Sequence, residues 1–235
     1  MSQFPSAPDD LDATLLRMFI DEIKIQLPTV LDADTDPAMP KVTFKFLFFR
    51  EAAAWRFWEL SDSALRLIEA ENYTSSMVLI RSAFETLALT FYMSGKLETT
   101  INGNDPSGID ELAMKLLMGT RTPDTEYKSV SILTAIQKFE KTLSGAQTFY
   151  DDLSEFAHPN LEGTAVPFSF DTELIHKVAF GRDASTSKMA KARALRDLYL
   201  TLSLFELSYN KFNDIFPDFL SFCQKHFEIQ NDETG

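Results

Sequence analysis

The feature that most constrains this chain is the segment 72–95, which has the pattern of one long helix with only two charged side chains. Its sequence is NYTSSMVLIRSAFETLALTFYMSG, in which Arg81 and Glu85 lie one helical turn apart among apolar neighbours. A charged side chain removed from water must find an opposite charge or hydrogen-bond partners, because its burial is otherwise costly. We therefore expect this helix at the centre of the fold, with Arg81 and Glu85 partly buried.

Apolar residues recur at helical spacing in this segment and in the one before it. Within 72–95 they are Tyr73, Met77, Ile80, Phe84, Leu87 and Phe91. Within 43–69 a similar seam is formed by Leu47, Ala54, Trp58, Ser61, Leu65 and Ile68. A spacing close to 3.5 residues is typical of helices that pack lengthwise, and only a short polar break at 71–72 separates the two segments. The pattern predicts a long central antiparallel helix hairpin.

Most of the remaining chain is also predicted to be helical, so the fold class is an all-α helical bundle in a single domain, 1–235. Asp9 or Asp10 is expected to cap the first helix, because aspartate favours helix N-termini. Pro159 ends the helix that precedes it, since proline disfavours helical geometry in the residue before it. The predicted parts are an N-terminal helix in 1–30, a linker at 31–42, a bundle over 43–215, a loop at 95–107, and helices at 109–118, 126–143 and 146–158.

One segment, 160–187, breaks the helical pattern. Apolar residues alternate there with period two, which is typical of strands and predicts a small β-hairpin or irregular insertion. The alternating positions are Val166, Phe168 and Phe170, followed by Leu174, His176, Val178 and Phe180, of which all but His176 are apolar. A last long helix is expected from about Ser187 until Pro217 interrupts it, followed by a short C-terminal helix within 217–228.

Composition excludes several classes of function. Lysine and arginine total 22 against 35 aspartates and glutamates, for a formal net charge of −13, which disfavours broad binding to nucleic acid or anionic lipid. The one cysteine cannot form an internal disulfide, and the N-terminus lacks the basic start and apolar run of a signal peptide. No apolar stretch is long enough to span a bilayer. We therefore predict a cytoplasmic protein that has no association with a membrane.

Two further helices carry isolated polar residues that are candidates to meet Arg81. Glu206 is the only charge between Asp197 and Lys211, and Tyr150, Ser154 and His158 follow one another at four-residue spacing. We expect Arg81 to be neutralised by Glu85 or Glu206 in a cleft that Tyr150, Ser154 and His158 also line. The alternative is a buried ion pair that only sets the helix register.

Two segments carry a resemblance to a known family. ALRLIEAENYTSSMVLIRSAFETLALTFYM and YDDLSEFAHPN resemble bacterial helical proteins of the HEPN superfamily, the higher eukaryote and prokaryote nucleotide-binding domains. The resemblance in the arrangement of helices covers about residues 43 to 215. It implies an interaction or ligand-binding protein with a protein or nucleotide ligand, in bacterial defence or stress response.

Catalytic members of that superfamily are metal-independent ribonucleases, which use an Arg and a His one to two turns apart on one helix, usually in two facing chains. This chain departs from the pattern, because no Arg lies that close before His158, His176 or His226. The alternative that the resemblance leaves open is a ribonuclease using Arg81, Glu85 and His158 in a dimer cleft. Asn160, at the end of the second segment, joins Tyr150, Ser154 and Glu206 as a binding candidate.

A metal or organic cofactor is not expected. Glu155-x-x-His158 and Glu173-x-x-His176 match the spacing of ligands in di-iron bundles, but the two motifs lie too close together to occupy separate long helices. No Gly-rich phosphate loop and no cysteine pair for zinc is present. Aromatic residues crowd the segment 44–58, on more than one face of its helix, and this two-sided pattern predicts a homodimer.

Overall fold

The computed structural model of the protein describes residues 2–8, 11–32, 39–122, 124–172, 176–181 and 184–227. Eight helices and two small sheets account for this part of the chain. The helices are α1 (Ala13–Gln26), α2 (Lys41–Glu69), α3 (Tyr73–Gly103), α4 (Ile109–Met118), α5 (Ile132–Thr142), α6 (Ala146–Ala157), α7 (Val166–Phe168) and α8 (Ala184–Phe227). The all-α fold class is thereby confirmed, including the small β insertion.

The strands are short and lie at the periphery. β1 (Ser2–Gln3) pairs in parallel with β2 (Leu143–Ser144), which no sequence pattern predicted. In the insertion, β3 (Ser169–Asp171) pairs antiparallel with β4 (Val178–Phe180), as the alternating apolar residues predicted. The insertion begins with one π-helical turn, Leu161–Ala165, and the helical turn α7, so the hairpin is shorter than predicted. Glu173 and Leu174 lie outside the described residues.

Helices α2 and α3 form the predicted hairpin, and α8 packs along α3. All six apolar seam residues of α3 are buried, and they join the larger of two hydrophobic cores together with side chains of α1, α2, α5, α6 and α8. The smaller core lies at the other end of the hairpin and is built from α2, α3, α4 and the end of α8. Because it runs the length of both cores, α3 is the central element of the fold.

Helix α3 is two turns longer than the sequence indicated, since the loop predicted from residue 95 begins only at Asn104. Leu97 is fully buried and Ile101 packs in the smaller core, so burial continues the helix through Gly95 and Gly103. Asn104 ends it in the left-handed conformation with φ 49°, a conformation that asparagine tolerates better than most residues.

Helix α8 continues through Pro217, contrary to the prediction that this proline separates two helices. Apolar side chains on both sides of the proline pack into the smaller core, and they are Phe212, Ile215, Phe219, Phe222 and Cys223. This burial offsets the backbone hydrogen bond that proline cannot make.

Three other helices begin at positions that differ from the predicted ones. Helix α5 begins at Ile132 instead of residue 126, because Thr120 exchanges backbone hydrogen bonds with Tyr127 and Ser129. Asp12 caps α1, accepting from the Leu15 amide at 2.9 Å, whereas Asp9 and Asp10 lie outside the described residues. Much of the linker predicted at 31–42 also lies outside them, and α2 already begins at Lys41.

Among the described helices, none is long and apolar enough to cross a membrane.

Candidate functional site

Arg81 and Glu85 form an ion pair on one face of α3. Nη2 of Arg81 lies 3.0 Å from Oε1 of Glu85, and their side chains are 25 % and 23 % exposed. The prediction that Arg81 and Glu85 are partly buried is therefore confirmed. Exposed pairs at this spacing stabilise a helix by only about 0.2–0.5 kcal/mol, so the further partners of Arg81 decide what this pair does.

Helix α6 supplies those partners. Nη2 of Arg81 donates to the Tyr150 hydroxyl at 2.8 Å, and Nε donates to Ser154 Oγ at 3.0 Å. The Tyr150 hydroxyl in turn donates to Glu85 at 3.1 Å, and Ser154 donates to the Tyr150 carbonyl at 2.8 Å. Arg81, Glu85 and Tyr150 thus form a closed ring of polar contacts, to which Ser154 is bonded through Arg81. We call these four residues the Arg81 cluster.

The start of α6 is held in place by a carboxylate from the preceding helix. Glu140 on α5 accepts hydrogen bonds from the backbone amides of Gln147 and Gly145, at 2.9 and 3.0 Å. These backbone amides lower the pKa of Glu140. Gly145 has φ 106°, a conformation that favours glycine. Because α6 is fixed here, Tyr150 and Ser154 are presented to α3.

His158 does not join the Arg81 cluster. It follows Ser154 by one turn, caps the end of α6 in an extended conformation, and is exposed. Its ring makes no hydrogen bond to any residue that the structure describes. The helix does end before Pro159, as predicted. The hypothesis that His158 lines one cleft with Arg81 is therefore not supported by these contacts within one chain.

Asn160 shapes the turn that follows α6. Its Oδ1 accepts from the Gly163 amide at 3.0 Å, and its Nδ2 donates to Glu155 at 2.6 Å. Gly163 packs so closely that an added Cβ would lie 2.0 Å from the carbonyl oxygen of His158. Both polar ends of the Asn160 amide are thus occupied by local contacts.

Glu206 also lies apart from Arg81. It is exposed on α8 and lines a shallow depression with Glu98 and Lys211. Of the two carboxylates expected to neutralise Arg81, Glu85 is the one that does so. The reason is geometric: Arg81 lies on the face of α3 that contacts α6, whereas Glu206 points to solvent.

A cavity of about 210 Å³ lies beside the Arg81 cluster, between the first turns of α3, the end of α6, the insertion and the start of α8. Met77, one turn before Arg81, and Phe156, at the end of α6, contribute to its apolar walls. The other apolar side chains are Tyr73, Val166, Pro167, Phe168, Met189 and Ala190. Glu162 and Arg193 are the two charged residues in the lining.

Sequence reasoning missed a buried carboxylate behind this cavity. Asp197 on α8 is 1 % exposed and accepts hydrogen bonds from Arg196 Nε and Nη2, at 2.8 and 2.7 Å. Burial raises the pKa of Asp197, although Arg196 and Arg193 act in the opposite direction. The available signal was the spacing of Arg193 and Asp197, four residues apart, with Asp197 next to the apolar run that begins at Leu198.

Arg193 connects Asp197 to the cavity. Its Nε lies 3.5 Å from Oδ2 of Asp197, which is long for a hydrogen bond, and its Cζ lies 4.4 Å from the centroid of the Phe156 ring. A second carboxylate, Asp152, approaches at 4.0 Å. Arg193 is therefore held at the cavity wall by charge and by ring stacking, with few strong hydrogen bonds.

Within the described ranges no three His, Cys, Asp or Glu side chains are grouped so that they could hold a metal ion. Glu173 of the Glu173-x-x-His176 motif lies outside those ranges. Compared with known proteins, the chain matches no family model, no curated protein and no solved structure. The resemblance to the HEPN superfamily therefore stays a prediction.

Proposed function

We propose that the chain is a HEPN-like ligand-binding protein whose ligand is a short, mainly apolar molecule or side chain in the cavity between α3, α6, the insertion and α8. The observation that supports this most directly is the cavity itself, with apolar walls from four elements and two charged residues, Glu162 and Arg193. Concave sites with apolar walls and a few polar groups are the usual form of small-molecule sites. A role in bacterial defence or stress response is part of the same proposal.

The Arg81 cluster has a supporting role in this proposal. It ties α6 to α3 through contacts at 2.8 and 3.0 Å, one helical turn from Met77. Those contacts hold Phe156 and Met77 at a defined separation across the cavity. The cluster is then a positioning device for the cavity wall, and its internal partners leave the Arg81 side chain little freedom to bind a ligand directly.

Thermal unfolding in the presence of hexanol, hexanoate or hexylamine tests this proposal. At ten times its Kd a bound ligand adds about 1.4 kcal/mol, which raises Tm by about 3–6 °C in a domain of this size. We expect such a rise for at least one of the three compounds. A preference for hexanoate or for hexylamine identifies Arg193 or Glu162 as the residue that meets the polar end.

The matched variants are Ala190→Phe, which fills the cavity, and Ala192→Phe, which adds the same ring to an exposed position on α8. The Tm rise should be lost in A190F and kept in A192F, with unchanged far-ultraviolet circular dichroism in both. Equal Tm rises in the two variants, or none in the unaltered protein, would contradict the proposal.

A metal-independent ribonuclease is the second candidate, and the exposure of His158 one turn beyond Ser154 is what favours it. In a dimer, an exposed imidazole is free to approach the Arg81 cluster of a second chain. Purified protein is incubated with total RNA in EDTA, alongside His158→Ala. Cleavage that disappears in H158A supports the enzyme, and cleavage equal in both, or absent from both, rejects it.

A further inference from the structure

Two adjoining depressions beside the C-terminal half of α3 collect lysines from four helices and a loop. They measure about 780 and 290 Å³ and share Tyr92, Lys96 and Thr99. The lysines are Lys96 of α3, Lys115 of α4, Lys128 of the α4–α5 loop, Lys138 and Lys141 of α5, and Lys211 of α8. We call these two depressions the lysine groove.

The charge of the groove opposes the charge of the chain. Six lysines and only two carboxylates, Asp105 and Glu98, line it, and Glu111 pairs with Lys115 from outside at 2.6 Å. The result is a local excess of three positive charges on a chain whose formal net charge is −13. Like charges gathered on one surface repel one another, so their grouping does not stabilise the fold by itself.

Most of these lysines have no acidic partner. Lys211 pairs with Glu98 at 2.9 Å, but Lys96, Lys128, Lys138 and Lys141 have no carboxylate within 4.0 Å among the residues that the structure describes. The ammonium group of Lys96 lies 5.6 Å from the centroid of the Tyr92 ring. Four ammonium groups therefore have N–H donors that can bind an external anion.

Neutral donors line the same groove. Hydroxyl groups come from Thr100, Ser129, Ser131 and Thr134, whereas those of Thr99 and Ser107 already donate to the Gly95 carbonyl and to Asp105. Thr134 in the first turn of α5 also borders the larger depression, and amide groups at helix N-termini favour anions. Ammonium, hydroxyl and amide donors together suit the oxygen atoms of phosphate groups.

We propose that the lysine groove binds a linear chain of phosphate groups, such as a short polyphosphate or the triphosphate of a nucleotide. An elongated anion fits because Tyr92, Lys96, Thr99 and Gly103 form one stripe along α3, and lysines of α4, α5 and α8 flank it. The site is separate from the apolar cavity. Met77 and Lys96 are about 28 Å apart along α3, from 1.5 Å per residue.

Titration calorimetry with sodium tripolyphosphate tests this proposal, with sodium sulfate at matched ionic strength as the competing simple anion. The groove variant is Lys96→Gln, Lys138→Gln and Lys141→Gln together. Its matched control is Lys177→Gln, Lys188→Gln and Lys191→Gln, which removes the same charge from exposed positions outside the groove. Removing three ammonium contacts should weaken binding about tenfold or more, and the control should bind like the unaltered protein.

Equal weakening by both triple variants, full competition by sulfate, or no heat of binding at millimolar tripolyphosphate would overturn the proposal. Titrations with ATP and with adenosine identify the source of the phosphates. ATP binding like tripolyphosphate while adenosine does not bind supports recognition of the phosphate chain alone. Tighter binding of ATP supports a nucleotide, with Tyr92 beside its base. Adenosine binding as tightly as ATP would count against phosphate recognition.

Discussion

Arg81 on α3 donates a hydrogen bond of 2.8 Å to the phenolic oxygen of Tyr150 on α6, although the two residues are 69 positions apart in the chain. The same hydroxyl donates to Glu85, which also pairs with Arg81. The phenol therefore satisfies a cation and an anion at once. This explains how the segment 72–95 of α3 accommodates its only two charges, and it leads to the first prediction.

Tyr150→Phe should destabilise the fold by about 1–2 kcal/mol, because the variant leaves partly buried donors and acceptors of Arg81 and Glu85 without their shared partner. Urea unfolding followed by circular dichroism measures the change. Lys115→Gln is the control, since it removes an exposed pair with Glu111 and should change the free energy of unfolding by less than about 0.5 kcal/mol. Equal, small effects would mean that the Arg81 cluster does not stabilise the fold.

Tyr209 should make stability sensitive to alkaline pH. Burial, supported by the neighbouring Glu51, raises the pKa of Tyr209 to about 12 from 10.0. The unfolded state therefore loses this proton first, and the contribution of Tyr209 is fully present below pH 10 and lost as the pH rises towards 12. Ultraviolet titration of the phenols should show a group that ionises near pH 12 and is missing in Tyr209→Phe, in addition to Tyr127, whose pKa is also raised by its hydrogen bond with Glu126.

The same substitution tests a second buried carboxylate. The Tyr209 hydroxyl donates to Glu51 at 3.0 Å, and Glu51, which is buried, also pairs with Arg50. We expect Tyr209→Phe to cost about 1–2 kcal/mol near neutral pH. Arg50 stacks on the Tyr209 ring with its Cζ 4.7 Å from the centroid, a contact that the phenylalanine ring keeps, so the loss reports on the hydroxyl. An unchanged free energy of unfolding would refute this role for the Tyr209 hydroxyl.

Asp197 should make the folded state less stable as the pH rises from acidic values, whereas an aspartate whose pKa is lowered by folding has the opposite effect. Its pKa is raised above 3.8 by burial, so the folded state keeps a proton that the unfolded state has lost. Stability contributed by Asp197 is present below pH 3.8 and is lost as the pH rises through its folded pKa.

Urea unfolding of the unaltered protein and of Asp197→Asn, from pH 3.8 towards neutral, tests whether the contribution of Asp197 to stability falls with pH. The free energy of unfolding of the unaltered protein, minus that of D197N, should decrease as the pH rises towards neutral. A difference that increases with pH would show that Arg196 and Arg193 outweigh burial and lower the pKa of Asp197.

Phe48 on α2 provides the test of the predicted homodimer. The aromatic segment 44–58 divides in the structure: Phe46 and Phe57 are fully buried, while Phe48 is 51 % exposed. If the exposed ring lies in a dimer interface, its burial contributes about 1.5–3 kcal/mol, so Phe48→Glu should raise the dimer Kd about tenfold or more. Sedimentation equilibrium measures the dimer Kd. Leu133→Glu on α5 is the control, because it places the same charge at another exposed apolar residue. A monomer at all concentrations would exclude the dimer.

Local sequence determined the helices of this protein, because each helical seam depends on neighbours three and four residues away. The seam of α3 from Tyr73 to Phe91, the end of α6 before Pro159 and the partial burial of Arg81 and Glu85 are properties of single segments, and each was predicted correctly. Periodicity within one element is enough to place an apolar face.

Tertiary structure decided which of the candidate residues meet Arg81. Four-residue spacing selected Tyr150, Ser154 and His158 as candidates, but the packing of α6 against α3 determines which of them come within reach. The tertiary structure brought Tyr150 and Ser154 to Arg81 while leaving His158 and Glu206 exposed, and it continued α8 through Pro217 by burying apolar side chains on both sides. It also gathered lysines from α3, α4, α5 and α8 into one groove on an acidic chain. No run of lysines in the sequence marks that surface, since its charges come together only when the helices pack.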